Sequence, residues 1–366
     1  MLSQEEKETY NRHIILDEVG ETGQLRLKNS RVLVIGAGGL GCPVLLYLNA
    51  AGIGKIGIVD FDQIDKSNLQ RQVLFDIQSI GNSKAQRAKE KLEAVNPHNS
   101  IQIYKERINV DNALNLIKNY DIVVDCTDNY ETRYLVNDAC VLLEKPLIYA
   151  AIFKYEGQVS VFNYKNGPTY RCVYPSPPKS ASITNCSESG VIGVLAGIIG
   201  TMQANEVIKL ILGIGEPLSG KLSVYSSLTC QISNFKISKQ QNTIYEDLKS
   251  TGKLNPSLYS IQSCSSENIL MDEIEIEEFH NEVKNGTQLI DVREIDEEPK
   301  FPELRALNLP LSSIDSLKVN LENKRTIVFC KSGIRSQKAI KILQQKYQLD
   351  NLINLKNGIQ SYQQLK

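Results

Sequence analysis

The sequence predicts an α/β protein built on a doubly wound, mainly parallel sheet, followed by a second, smaller α/β domain. Three observations carry this. Short apolar runs alternate with helix-length stretches through "RVLVIGAGGLG", "KIGIVDFD", "DIVVDCTDN" and "PLIYAAI", as parallel strands covered on both faces do. The 366 residues are about twice a usual domain. Residues 239–268 are polar, serine-clustered and without sustained period, which reads as a linker or a loosely docked connection. The expected organisation is a first domain over 1–238, a linker over 239–268 and a second domain over 269–366.

In chain order, the opening "MLSQEEKETY" has glutamates where a signal peptide would have a basic end and an apolar core, so a cytoplasmic protein is expected. "RVLVI" reads as a strand feeding a glycine turn and a helix, and "KIGIV" as the next strand. The longest charge-free run, about Ser189 to Asn205, is shorter than the roughly 20 apolar residues of a membrane span. It reads as a buried helix whose Gly190, Gly193, Gly197 and Gly200 let another backbone come close. "QVSVFNY" and "KLSVYSSLTCQISNFKI" alternate at period two, as half-buried antiparallel strands do. Beyond the linker, "TQLIDVRE", "ALNLPL", "TIVFCKSG" and "NLINLKNG" are strand candidates of the second domain.

The 41 Lys plus Arg balance 42 Asp plus Glu, leaving no basic field for a phosphate backbone, so nucleic acid is excluded as a first partner. The eight cysteines never stand at C-x-x-C spacing, and a chain this long needs no disulfide staples. Cys42, Cys126, Cys140 and Cys230 lie in apolar stretches and read as small core residues.

Gly36, Gly38 and Gly41 occupy the G-x-G-x-x-G positions of "GAGGLG", where backbone N–H groups and a helix start can meet a phosphate. Asp60 ends the next strand, where an acid would bind a ribose, so an NAD-dependent oxidoreductase is one reading. The next residues argue against it. Asn68, Arg71 and Gln72 follow the acid, then Lys84; a dinucleotide crevice has no need of two cations there, whereas a triphosphate does. Asp128 in "DCTDN" stands at a strand end, placed to hold Mg²⁺ with phosphate oxygens. No G-x-x-x-x-G-K-[ST] occurs, so this would be ATP chemistry without a P-loop.

"YNRHIIL", "GAGGLG", "DFDQIDKSNLQRQ", "DCTDN" and "NCSESG", in this order over residues 8–236, resemble the E1-like adenylyltransferases of the MoeB/ThiF family, which activate ubiquitin-like sulfur carrier proteins. The resemblance implies a Rossmann-like adenylation domain with Gly39, Asp60, Asn68, Arg71, Lys84, Asp128 and Asn129 at the ATP and Mg²⁺ site. It also implies that Arg12 reaches the neighbouring subunit's nucleotide in a homodimer. The family's zinc is held by two C-x-x-C pairs, but here Thr169 stands at the first position, only Cys172 remains, and no second pair follows. No zinc is expected, since a hydroxyl replaces a thiolate poorly. Cys186, after the proline- and serine-rich "YPSPPKSASITN", matches a cysteine proposed in relatives to bond the carrier covalently.

Cys330 in "TIVFCKSGIRSQKAI" ends an apolar run before a short loop and a helix. Backbone N–H groups and the positive helix end would converge on its sulfur and stabilise an anion. The C-x₄-R spacing to Arg335, with "LIDVRE" (Asp291, Arg293) and "NLINLKNGIQSY", resembles a rhodanese, whose cysteine carries sulfur as a persulfide. Asp291 and Arg293 read as structural partners of the loop. "FPELRALNLPL" and Asn357-Gly358 depart from the rhodanese pattern. Together the resemblances imply adenylation of a carrier's C-terminal Gly-Gly, then sulfur transfer from Cys330 to give a thiocarboxylate in a molybdopterin, thiamin or tRNA pathway. The sulfur donor would be a partner such as a cysteine desulfurase. The alternative is a carrier-binding scaffold without turnover.

Overall fold

A computed structural model describes residues 1–177, 190–259, 272–314, 324–347, 349–359 and 362. The chain forms two compact units, Met1–Cys264 and Ser265–Lys366.

The first unit opens with α1 (Gln4–Thr9), α2 (Asn11–Ile14) and α3 (Gly20–Asn29). There follow β1 (Arg31–Ile35), α4 (Gly41–Ala50), β2 (Lys55–Val59), α5 (Lys84–Val95), β3 (Ser100–Tyr104), α6 (Ala113–Ile117), β4 (Ile122–Asp125), α7 (Tyr130–Leu142), β5 (Leu147–Phe153) and β6 (Glu156–Phe162). The unit continues through α8 (Gly193–Leu212), β7 (Lys221–Ser226), β8 (Gln231–Lys236) and α9 (Thr243–Thr251). The sheet order is β3-β2-β1-β4-β5-β6-β7-β8. Strands β1 to β5 pair in parallel and β6 to β8 are antiparallel, as the change of period in the sequence requires. Val32 and Val34 enter one core with Leu45 and Ile56, while Leu33 and Ile35 enter another with Tyr120 and Val123. Both faces of β1 are thus covered, which explains an unbroken apolar run. Strand order reverses between β1 and β4, and such a switch point opens a crevice at the strands' carboxyl ends.

Helix α8 is long and apolar enough to cross a membrane, but here it packs on α4, β5 and β6. A Cβ at Gly200 would lie 2.4 Å from the Leu40 carbonyl oxygen and one at Gly193 2.3 Å from that of Gln70, so these two positions take close backbone. Gly197 faces open space, and Gly190 lies before the helix at φ +69°. The expected close approach fails at both.

Two further expectations are corrected. The polar stretch 239–268 is not all connection: α9 is capped by Asn242 and packs on α7, with Leu248 and Tyr259 buried. Its narrow apolar stripe, Ile244 and Leu248 among polar residues, hid the helical period. Cys230 is exposed in the turn between β7 and β8 at φ +56°, because the apolar run "KLSVYSSLTCQISNFKI" is two strands and Cys230 falls at their bend. Cys42, Cys126 and Cys140 are buried; burial pushes the Cys42 thiol up to about 12.

The second unit contains β9 (Glu273–Ile274), α10 (Ile276–Lys284), β10 (Gln288–Asp291), β11 (Leu307–Asn308), β12 (Thr326–Phe329), α11 (Ile334–Tyr347) and β13 (Leu352–Leu355). All strands are parallel in the order β11-β10-β12-β13-β9. The two-residue edge strand β9 was not legible among its acidic neighbours. Central β12 is buried along its whole length and delivers Cys330 to its carboxyl end.

Candidate active sites

The first site grows out of the β1–α4 turn. Gly36 has φ +94°, and a Cβ there would sit 3.0 Å from the Cys126 carbonyl oxygen. At Gly41 a Cβ would come within 2.0 Å of the Gly36 carbonyl oxygen, so the turn closes only with glycine at both ends. Asp60, at the end of β2, holds the turn from the side: it accepts from Ala37 N–H at 2.7 Å and from Asp62 N–H at 2.9 Å. Burial raises its carboxyl pKa.

The turn forms one wall of a cleft of about 490 Å³. Gly36, Gly38, Gly39, Asp60, Asn68, Arg71, Lys84, Asp128 and Asn129 all line it, so residues up to 93 positions apart in sequence meet in one place. Gly41 starts α4 behind them. Asn68 lies in a 3₁₀ turn, Lys66–Asn68, and accepts from Asp65 N–H at 3.1 Å. The Arg71 guanidinium donates to the Ser67 carbonyl at 3.1 Å. Lys84, first residue of α5 and nearly buried, is 2.8 Å from Asp62. Asn129 caps α7 by accepting from Thr132 N–H at 2.9 Å.

Asp128 is exposed in the cleft and has no hydrogen-bond partner among the described residues. Its turn is rigid because buried Asp125 accepts from Thr127 N–H at 2.9 Å and Thr127 Oγ1 at 2.7 Å; burial raises the Asp125 carboxyl pKa. Residues the motifs did not single out also line the cleft, among them Phe61, Arg107 and Arg133. Gln72 lines it too, buried, with Oε1 lacking a partner among the described residues. Four cations line the cleft, Lys84 among them paired with Asp62, together with the carboxylates of Asp60, Glu106 and unpartnered Asp128 and an unsatisfied amide; that many cations suit a polyphosphate, and an unpartnered carboxylate a divalent ion, better than they suit a dinucleotide. Arg12 does not line this cleft; it is exposed on α2. Cys186 lies outside the described residues.

Where relatives would hold zinc, the donors do not fit a metal. Thr169 Oγ1 accepts from Tyr245 O–H at 2.7 Å, and Cys172 Sγ accepts from the N–H groups of Thr169 and Gln240, both at 3.4 Å. Among the described residues no cluster of three metal-ligating side chains occurs.

The second site is the loop between β12 and α11. Cys330 is fully buried. Gly333 has φ +85°, and a Cβ at Gly358 would lie 2.5 Å from the Cys330 carbonyl oxygen, so the following turn packs directly under the loop. Ile359 N–H donates to that carbonyl at 2.8 Å. The N–H groups of Lys331, Ser332 and Gly333 meet no acceptor among the described residues, and those of the first turn of α11 have none within the helix. This is a loop whose backbone donors are left open. Arg335 does not reach freely into it: Glu297 holds its guanidinium through both terminal nitrogens, Nη2 at 2.9 Å, and Arg335 in turn holds the Glu297 carboxyl down at about 2. Arg293 grips Asp291 at 2.6 Å and donates to the Pro299 carbonyl at 2.9 Å, a structural pair. Ser336, which the motifs did not flag, stands 3.5 Å from Cys330 Sγ and 2.7 Å from Asn354 Oδ1.

A glycine turn at a sheet's switch point, with cations and an unpartnered carboxylate beside it, fits a nucleotide-activating α/β domain. The cysteine cup defines a sulfur-handling one. The chain belongs to the ThiF family, whose model matches residues 10–246, and a rhodanese-like domain model matches residues 275–365. It is 38% identical over 99% of its length to the adenylyltransferase and sulfurtransferase MOCS3 of Drosophila ananassae, covering 84% of that protein. It is 40% identical over 98% of its length to the probable adenylyltransferase/sulfurtransferase MoeZ of Mycobacterium tuberculosis, covering 93% of it. Among solved structures, Escherichia coli MccB superposes with a TM-score of 0.58 at 26% identity, covering 65% of this chain and 71% of that one. A complex of MccB with ATP gives 0.53 at 26% identity over 59% and 66%. An adenylyltransferase joined to a sulfurtransferase is the build of this chain.

Proposed function

We propose that the chain adenylates the C-terminal Gly-Gly carboxylate of a ubiquitin-like sulfur carrier and then converts it to a thiocarboxylate with sulfur carried on Cys330. The observation that carries this is the unpartnered Asp128 in one cleft with Arg71 and Lys84. The carrier carboxylate attacks the α-phosphorus of ATP, the bond to the β-phosphate oxygen breaks, and pyrophosphate leaves. No protein base is needed, because a carboxylate is already ionised at neutral pH. Gly38 and Gly39 let the backbone approach the phosphates, Arg71 and Lys84 offset charge on the leaving pyrophosphate, and Asp60 takes the ribose. Asp128 would hold Mg²⁺, which when bound neutralises phosphate oxygens.

The outer sulfur of a Cys330 persulfide then attacks the acyl-adenylate carbon, and AMP leaves. A thiolate, for which Cys186 is the candidate, attacks Cys330 Sγ of the acyl disulfide and frees the thiocarboxylate; a thiol reductant reopens the cysteine pair. Asn129 supports the Asp128 turn, and Arg335 steadies the cup through Glu297. By resemblance, Arg12 serves a homodimer partner's nucleotide, a cysteine desulfurase loads Cys330, and the reducing cytoplasm keeps the thiols free. The thermal stability of the chain does not depend on zinc.

Two measurements test the division of labour. Cys330→Ala is expected to keep carrier-dependent ATP–pyrophosphate exchange while the carrier's mass shows no oxygen-to-sulfur exchange. Loss of both activities, or retention of both, counts against it.

A further inference from the structure

We propose that Ser336 is a positioning residue for Cys330, a hydroxyl that moves its proton from Asn354 to the sulfur when the sulfur becomes an anion. This rests on the reading of Cys330 as the sulfur carrier. Ser336 is fully buried at the start of α11. Its Oγ lies 2.7 Å from Asn354 Oδ1, 3.0 Å from the Gly333 carbonyl oxygen and 3.5 Å from Cys330 Sγ. A hydroxyl has one proton, so it cannot serve all three.

The chain itself decides where that proton rests. Asn354 lies on β13, almost fully buried, and its Nδ2 donates to Glu273 Oε1 at 2.8 Å. An ionised carboxylate only accepts, which turns the amide so that Oδ1 faces Ser336. Gln337 Nε2, 3.0 Å from the same Glu273 oxygen, braces the carboxylate. Asn354 Oδ1 therefore takes the Ser336 proton in the resting protein, and an Oγ lone pair faces Cys330, ready to accept from its S–H.

Release of Sγ as an anion reverses the demand. When cyanide attacks the outer sulfur of the persulfide, or a thiol reductant attacks the other sulfur of the disulfide that Cys330 forms in the proposed cycle, the sulfur–sulfur bond breaks and its electron pair stays on Sγ as thiolate. A lone pair facing that thiolate is repulsive. Rotation of the Ser336 hydroxyl releases Asn354 and gives Sγ a charge-assisted hydrogen bond in a buried site, where such bonds are strong.

The test uses the full chain, with the persulfide loaded from sodium polysulfide, its discharge to cyanide timed, and iodoacetamide alkylation of Cys330 followed by peptide mass. Ser336→Ala should slow both by about tenfold, the worth of one hydrogen bond to an anion. Glu273→Gln, at an exposed position, should speed alkylation, since an amide partner lets Asn354 flip, donate to Ser336 Oγ and leave the hydroxyl proton to the sulfur. Glu275→Gln, a neighbouring exposed carboxylate bonded to Lys356 instead, should leave the rate unchanged. Opposite shifts in Ser336→Ala and Glu273→Gln support the switch. Slowing in both, wild-type rates in either, or equal acceleration by Glu275→Gln overturns it. Should Ser336→Ala not fold, the two glutamate variants decide alone. A wild-type Cys330 that gains no sulfur instead overturns the carrier reading, and this inference with it.

Discussion

At Asp128 the chain leaves an unpartnered carboxylate exposed in a cleft that also holds Arg71, Lys84, Arg107 and Arg133 and the carboxylates of Asp60, Asp62 and Glu106. Because nothing in the described fold leans on that side chain, Asp128→Ala should leave the melting temperature unchanged while carrier-dependent ATP–pyrophosphate exchange falls at least about a hundredfold, the usual loss of a group that offsets transition-state charge. A drop in melting temperature alongside would mark a structural role instead. The Glu297–Arg335 pair makes a different prediction. The bound Glu297 carboxyl titrates at about 2 against an ordinary 4.5. A carboxylate with a depressed folded-state pKa contributes stability that is complete above its unfolded value and lost as the pH falls through the folded one. The second unit should therefore lose stability between about pH 4.5 and 2, and Glu297→Gln should flatten that part of the pH–melting curve followed by circular dichroism. Asp60, Arg71, Lys84 and Asp128 stood out in the sequence because, although each alone reads as an ordinary strand-end or surface charge, together and in that order behind a glycine turn they match one set of motifs. Ser336 and Asn354 did not: each is a neutral polar residue in an apolar or loop context, and only the fold shows that its hydrogen-bond partners are shared.

Among the elements, the segment around Thr169 and Cys172 is held by hydrogen bonds. Tyr245 on α9 donates to Thr169 and accepts from Asn137 Nδ2 at 3.0 Å. Beneath them Arg171 grips Asp138 at 2.7 Å with both side chains buried. Tyr245→Phe should cost about 1 kcal/mol and loosen residues 243–251 in hydrogen exchange, whereas a strong chelator should leave that protection as it was. Loss of protection on chelation would show that a metal holds the segment after all. The missing cysteines were plain from the sequence; the replacement was not, because Thr169, Gln240 and Tyr245 become neighbours only through α9, whose period was hidden. Helix α8 shows the same limit. Its apolar run announced a buried helix, but which glycines take close backbone depends on the crossing partner, and only Gly193 and Gly200 do. Gly200→Ala should accordingly destabilise the chain by about 1–3 kcal/mol, measured by denaturant unfolding, and Gly197→Ala should stabilise it slightly through helix propensity.

For the whole molecule, the proposed chemistry demands that a short-lived anhydride meet a sulfur nucleophile before water does. Carrying the two units on one chain allows that meeting to be intramolecular, and tethering two partners raises their effective concentration without any new contact. A kinetic consequence follows from order alone. If adenylation and sulfur transfer occur within one assembly, thiocarboxylate formation at saturating carrier and ATP rises in direct proportion to enzyme concentration. If persulfide and acyl-adenylate must find each other between separate molecules, the rate rises with the square. Doubling the enzyme, preloaded with persulfide, should therefore double the initial rate read by mass spectrometry of the carrier; a fourfold rise would mean that the two chemistries are joined in sequence but not in action.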